Sequence, residues 1–190
     1  MKISIVLAAA LLAGCSTGHY EVDSKAMDKT KLAFVGIPTV LGIGYSGTTT
    51  PVTATTSLTN KHVAYPTFKK VLKTHKTCDI ALIAQNNKGE SVPVKIGYPK
   101  QGETIRMYGY SARTTLPVSS VGKVIGFAYD DHCLVGITDA GSVQGMSGGG
   151  VFNEKGELVG IFYKLALDVA RSYFIVSNEF NSILPLEVRK

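Results

Sequence analysis

Three short stretches of the chain carry side chains that could act together on a carbonyl group. Ser147 lies in residues 143–153 (VQGMSGGGVFN), with Gly145 before it and Gly148, Gly149 and Gly150 after it. A serine hydroxyl is inert at neutral pH unless a positioned base takes its proton, and that base needs a third group to orient it. His62 ends the β-branched run SLTNKHVA (57–64), and Asp79 opens the apolar run CDIALI (78–83). Base, acid and nucleophile therefore occur in the order His, Asp, Ser. Taken singly, each has a plainer reading: a surface histidine, a strand-start cap and a flexible glycine turn. Only the three together point to acyl transfer.

GMSGG also fits G-x-S-x-G, the nucleophile elbow of α/β-hydrolases, in which acid and histidine follow the serine. All four histidines (His19, His62, His75, His132) precede Ser147, so chain order excludes that elbow.

The elements that must position these residues are short strands. From Leu32 onward, apolar or β-branched runs alternate with Gly, Pro, Asn or Lys turns, at 33–37, 42–45, 52–58, 80–85, 92–96, 104–110, 117–127, 133–138, 149–152, 158–163 and 172–176. Many short strands at this spacing predict an all-β sandwich or barrel and not βαβ units. NNKG (86–89) and NEKG (153–156) read as hairpin turns. Only the residues after His62 and the stretch 178–184 look helical. GYPKQG (97–102) has the character of a crossing between two halves, and 190 residues suffice for one domain or for two small barrels sharing an interface.

With the flanking residues included, these stretches resemble the motifs of chymotrypsin-fold (trypsin-like) serine peptidases, and most closely those of the HtrA/Deg-type protease domain. TNKHV (59–63), DIALI (79–83), TDA (138–140), LVGI (158–161) and FIVSN (174–178) carry the likeness, which spans about 33–178. The resemblance implies two antiparallel six-stranded β-barrels, about 32–97 and 103–177, followed by a short helix at about 178–184. It implies His62 as general base and acid, Asp79 as its orienting partner and Ser147 as nucleophile. The backbone N–H groups of Gly145 and Ser147 would form the oxyanion hole around the turn at Met146. Gly141 would lie at the base of the substrate pocket, with Tyr163, Leu165 and Tyr173 lining it. No acidic group stands at Gly141, which argues against trypsin-like cleavage and for small or medium apolar residues. The substrates implied are proteins or peptides, with no cofactor. Three features depart from the family: a short His62–Asp79 separation, Met146 where Asp or Asn is usual, and no room for a PDZ domain. The first two keep a second reading open, that of a catalytically silent, protease-like lipoprotein serving as a binding module.

The first residues read as an address. Met1–Lys2, the apolar run 3–13 and the closing LAGC (12–15) describe an export signal, and LAGC resembles the lipobox of bacterial lipoproteins. That resemblance implies a signal peptide over 1–14, lipid on Cys15, a polar tether over 15–31 and a protease domain over 32–190. With Ser16 after the cysteine, the domain is expected on the outer membrane, facing the periplasm. Export places Cys78 and Cys133 where a disulfide is favoured. A zinc site using His75, Cys78, His132 and Cys133 is the rival, opposed because neighbours on a strand point to opposite faces. The net charge of +6 comes from scattered lysines, and its densest cluster, Lys69, Lys70, Lys73 and Lys76, lacks interleaved aromatics; it reads as a solvated loop and gives no reason to expect nucleic acid. The oligomeric state has no sequence signal.

Overall fold

The computed structural model describes residues 16–36, 44–89, 92 and 94–189. The export signal and Cys15 lie outside them. The described chain opens with β1 (Ser16–Thr17), β2 (Glu21–Val22) and a 3₁₀ turn at Ser24–Asp28, all part of the stretch expected as a tether. That stretch is folded onto the domain: β1 pairs with residues 142–143, and β2 pairs with Val118 and Ser119. Its polar residues find backbone and hydroxyl partners on the domain, so an apolar pattern is not what holds it.

The N-terminal half is a five-stranded sheet of β3 (Lys31–Gly36), β4 (Gly44–Pro51), β5 (Thr56–Thr59), β6 (Val71–Thr74) and β7 (Ala81–Ala84), in the order β3-β4-β5-β7-β6. It stays open among the described residues, and this corrects the expectation of a six-stranded barrel in this half. Among the described residues of the expected strand at 92–96, Val94 N–H donates to the Val52 carbonyl at 3.1 Å and Ile96 bridges to Leu158 of the other half, but no ladder forms to close the sheet. The lysine-rich stretch expected as a loop contains β6, an edge strand; charged residues on an edge discourage pairing with other chains.

The C-terminal half is a closed barrel. Strands β8 (Thr104–Tyr110), β9 (Pro117–Asp130), β10 (Cys133–Thr138), β12 (Gly150–Asn153), β13 (Leu158–Ala166) and β14 (Arg171–Val176) pair around a ring in which β9 meets β10 and β12 meets β8; β11 (Ser142–Val143) stands outside it with β1. Asp131 and His132 both take positive φ (50° and 67°), which is the geometry of a tight turn matched to the twist of β9 and β10. Ile105, Met107, Val118, Val151, Phe162 and Phe174 fill the barrel. A second cluster joins the two halves, with Leu58 and Ile80 from one side and Val135, Ile161 and Ile175 from the other. Phe180, Ile183 and Leu184 cap this seam from 3₁₀ turns at Ser177–Ser182 and just beyond. The expected helix at 178–184 is therefore a 3₁₀ turn, cut short ahead of Pro185, which disfavours helical geometry in the residue before it.

A disulfide between Cys78 and Cys133 crosses the same seam and closes a loop of 55 residues. Replacing both cysteines by serine should lower the unfolding free energy by about 4 kcal/mol in the loop-entropy model, read from urea unfolding curves.

Candidate active site

His62 sits in the single-turn helix α1 (Lys61–Ala64), which begins after an extended Asn60. Val63 and Ala64 of α1 are buried, and Val63 packs onto Gly47 of β4, where a Cβ would stand 2.5 Å from the valine side chain. The helix is thereby pressed onto the N-terminal sheet with His62 half exposed. Asp79 grips it twice: Oδ2 contacts the ring Nδ1, and Oδ1 accepts the His62 backbone N–H at 3.2 Å. A carboxylate is acceptor-only, so this contact places the proton on Nδ1 and leaves Nε2 free to act as a base. Asp79 is fixed in turn, since Asn60 Nδ2 donates to its carbonyl at 2.8 Å and its neighbour Cys78 is tied to Cys133. Burial, and then the Asp79 carboxylate, push the Tyr45 phenol upward.

Ser147 arrives on an irregular loop that the N-terminal half holds from outside. Thr48 Oγ1 donates to the Gly145 carbonyl at 2.8 Å, the Thr48 N–H to the Ser147 carbonyl at 2.7 Å, and Thr50 Oγ1 to the Gly148 carbonyl at 2.9 Å. Ala112 N–H adds a bond to the Gln144 carbonyl at 2.7 Å. Gly148 has φ +88°, and a Cβ there would lie 2.0 Å from the Thr48 carbonyl oxygen and 2.3 Å from Thr59 Oγ1. The loop thus rests on Thr59, three residues before His62. Met146, fully buried, donates its N–H to the Val143 carbonyl at 3.2 Å. The amides on either side of it, those of Gly145 and Ser147, donate to no group among the described residues. Two neighbouring free N–H groups beside a serine hydroxyl are what an oxyanion would need. No hydrogen bond joins Ser147 Oγ to His62 in this structure.

The residues expected to line a pocket are divided. Gly141 is buried under the backbone of His19. Leu165 packs with the barrel interior, whereas Tyr163 and Tyr173 pack against the seam. Tyr163 donates its hydroxyl to Asp130 Oδ2 at 2.5 Å, and Lys164 Nζ donates to the same oxygen at 2.7 Å while lying over both tyrosine rings. The bonds from Lys164 and Tyr163 hold the Asp130 carboxyl below its ordinary range; the bond to Asp130 likewise raises Lys164. An open groove of about 390 Å³ lined by Lys29, Ile105, Arg106, Tyr108 and Phe152, among others, shares no residue with His62, Asp79 or Ser147. Of the possible zinc ligands, Cys78 and Cys133 are bonded to each other, and His75 Nε2 faces Glu179 Oε2 at 3.5 Å.

Sequence reasoning missed Thr48, Thr50 and Thr59. Their signal lay in the consecutive threonines TTT (48–50) within one strand, whose hydroxyls need partners once buried.

Comparison with known proteins agrees with this architecture. The family model described as "Trypsin-like peptidase domain" matches residues 43–161. No curated protein matches the chain. Among solved structures, the active form of the Rv3671c protease from M. tuberculosis is similar at 16% identity and a TM-score of 0.69, covering 84% of this chain and 80% of that one. The serine endoprotease from Yersinia pestis is similar at 19% identity and a TM-score of 0.64, over 83% of this chain and 64% of that one. The HtrA-type protease AlgW with tripeptide is similar at 16% identity and a TM-score of 0.66, with 80% of this chain covered and 57% of that one.

Two outcomes are expected. Gly148→Ala should cost about 1–3 kcal/mol of stability through overpacking, and more where the positive φ is retained, seen as a lowered thermal midpoint. Asp130 contributes stability above its unfolded-state pKa that is lost as pH falls through its lowered folded value. Asp130→Asn should therefore flatten the acid side of the stability–pH curve, measured by denaturant unfolding between pH 2 and 6, roughly the carboxylate range.

Proposed function

We propose that this chain, which belongs to the trypsin-like peptidase domain family, is a serine endopeptidase that cleaves peptide bonds through a covalent acyl-enzyme. The observation that carries the reading is the double grip of Asp79 on His62, through ring and main chain at once. A solvated surface histidine has no need of it.

In this reading Ser147 Oγ attacks the scissile carbonyl carbon while His62 Nε2 takes the hydroxyl proton. Negative charge on the carbonyl oxygen is met by the N–H groups of Gly145 and Ser147. The tetrahedral species collapses, the C–N bond breaks, and His62 passes its proton to the departing amine. Water then attacks the ester with His62 again as base, and the second collapse releases the acid and restores Ser147. Asp79 keeps the proton on Nδ1 and stabilises the imidazolium without taking the proton itself. Substrates are protein or peptide segments. With no carboxylate at Gly141, the pocket suits uncharged, small to medium side chains; Gly141, Tyr163, Leu165 and Tyr173 remain the residues assigned to it. Beyond the site, lipid on Cys15 would hold the domain at the outer membrane, facing the periplasm.

The reading is tested by intact-mass spectrometry after incubation with a fluorophosphonate. Wild-type chain should gain one adduct on Ser147; Ser147→Ala should gain none, and Asp79→Asn should react about 10⁴-fold more slowly. A well-folded wild type that takes no adduct overturns the peptidase reading in favour of a binding module.

A further inference from the structure

We infer that Thr17 is a positioning residue for the nucleophile loop: by pinning residues 140–143 it holds the turn that presents the Gly145 and Ser147 amides. The inference rests on the reading of Ser147 as the nucleophile.

Ser16 and Thr17 pair antiparallel with Val143 and Ser142. Thr17 is 2% exposed, and Ser142 and Ser172 are fully buried. Thr17 Oγ1 lies 2.9 Å from each of their hydroxyl oxygens and accepts the Ser142 N–H at 3.1 Å. Ser172 Oγ donates to the Ala140 carbonyl at 2.7 Å and lies 2.9 Å from Ser142 Oγ. With the Ser172 proton engaged there, the hydroxyl protons of Thr17 and Ser142 serve two of the three contacts within the trio. Removing one member leaves buried polar groups underpaired, the costly case.

The backbone is fitted to the same end. Gly18 takes φ +63°, and a Cβ on Gly141 would stand 2.3 Å from the His19 carbonyl oxygen, so the two main chains lie in contact. Tyr20 packs against the cluster that holds Val143 and Met146. From Val143 the path to the site is short, because its carbonyl receives the Met146 N–H and the Met146 carbonyl receives the Gly149 N–H at 2.8 Å. Met146 lies between the two free amides. Thr48 and Thr50 secure the loop from the N-terminal half; Thr17 secures the end those threonines do not reach. Apart from Tyr20 the segment brings little apolar surface, so the hydroxyl trio sets its register.

The test uses the whole chain with Thr17→Val, which keeps the shape and removes the hydroxyl, and Thr17→Ser, which keeps the hydroxyl. Acylation of Ser147 by a fluorophosphonate should slow about 10-fold in Thr17→Val, less than the 10²–10³ lost with an oxyanion donor itself. Peptide hydrolysis should lose kcat with little change in KM, and Thr17→Ser should restore both rates. In parallel, amide hydrogen exchange over 143–149 should quicken in Thr17→Val while β8 is unchanged. Wild-type acylation and exchange in Thr17→Val overturn the proposal, as does an equal loss in Thr17→Ser, which would mark packing alone. Should wild type take no adduct, the peptidase reading fails separately and exchange decides: faster exchange upholds positioning, unchanged exchange overturns it. If Thr17→Val does not fold, Ser172→Ala carries the same readouts.

Discussion

The loop that carries Ser147 has almost no regular structure of its own, and the molecule is arranged to hold it from outside. Residues 144–149 run between β11 and β12, and Gly145, Met146, Gly148 and Gly149 among them are buried. Each buried carbonyl needs a donor, since an unpaired one costs about 1–3 kcal/mol. Thr48 and Thr50 supply donors from the N-terminal sheet, Ala112 from the C-terminal half, and Phe162 joins through the Gly148 N–H. Two amides are left over. Reactivity at Ser147 would follow from this division between bonded and unbonded backbone groups.

The contact between His62 and Asp79 depends on a different arrangement. One helical turn cannot hold a side chain by its own stability, because short helices are marginal without tertiary packing. α1 is held by burial of Val63 and Ala64 and by the Asp79 carboxylate on the His62 amide. Asp79 is secured by a covalent bond at the preceding residue. The two halves thus contribute unequally: an open sheet brings histidine and aspartate, and a closed barrel brings the serine loop and the C-terminal cap.

Much of this was legible in the amino-acid sequence. Chain order eliminated one hydrolase class, and short apolar or β-branched runs set between turn residues marked β8, β9, β10 and β14. β6 was hidden because an edge strand with lysines looks like a solvated loop. The sixth strand expected at 92–96 was suggested by apolar residues that instead meet the other half at Ile96. The segment from Ser16 to Val22 was read as a tether because Ser, Thr and Gly carry no hydrophobic period. Its order comes from Ser142 and Ser172, more than a hundred residues away, and local patterning does not record such partners. The division of Tyr163 and Leu165 between two clusters was likewise invisible, because it follows from a register shift after Phe162 in β13.

The threonine contacts have a consequence for how such a chain can change. The crossing at 97–102 is the natural place to join the first half of one relative to the second half of another. A join there would keep both sheets intact, yet it would separate Thr48, Thr50 and Thr59 from the carbonyls and the glycine they fit. Substitutions on β4 and β5 must therefore be matched by substitutions around Ser147. Through these contacts the two halves form one heritable unit.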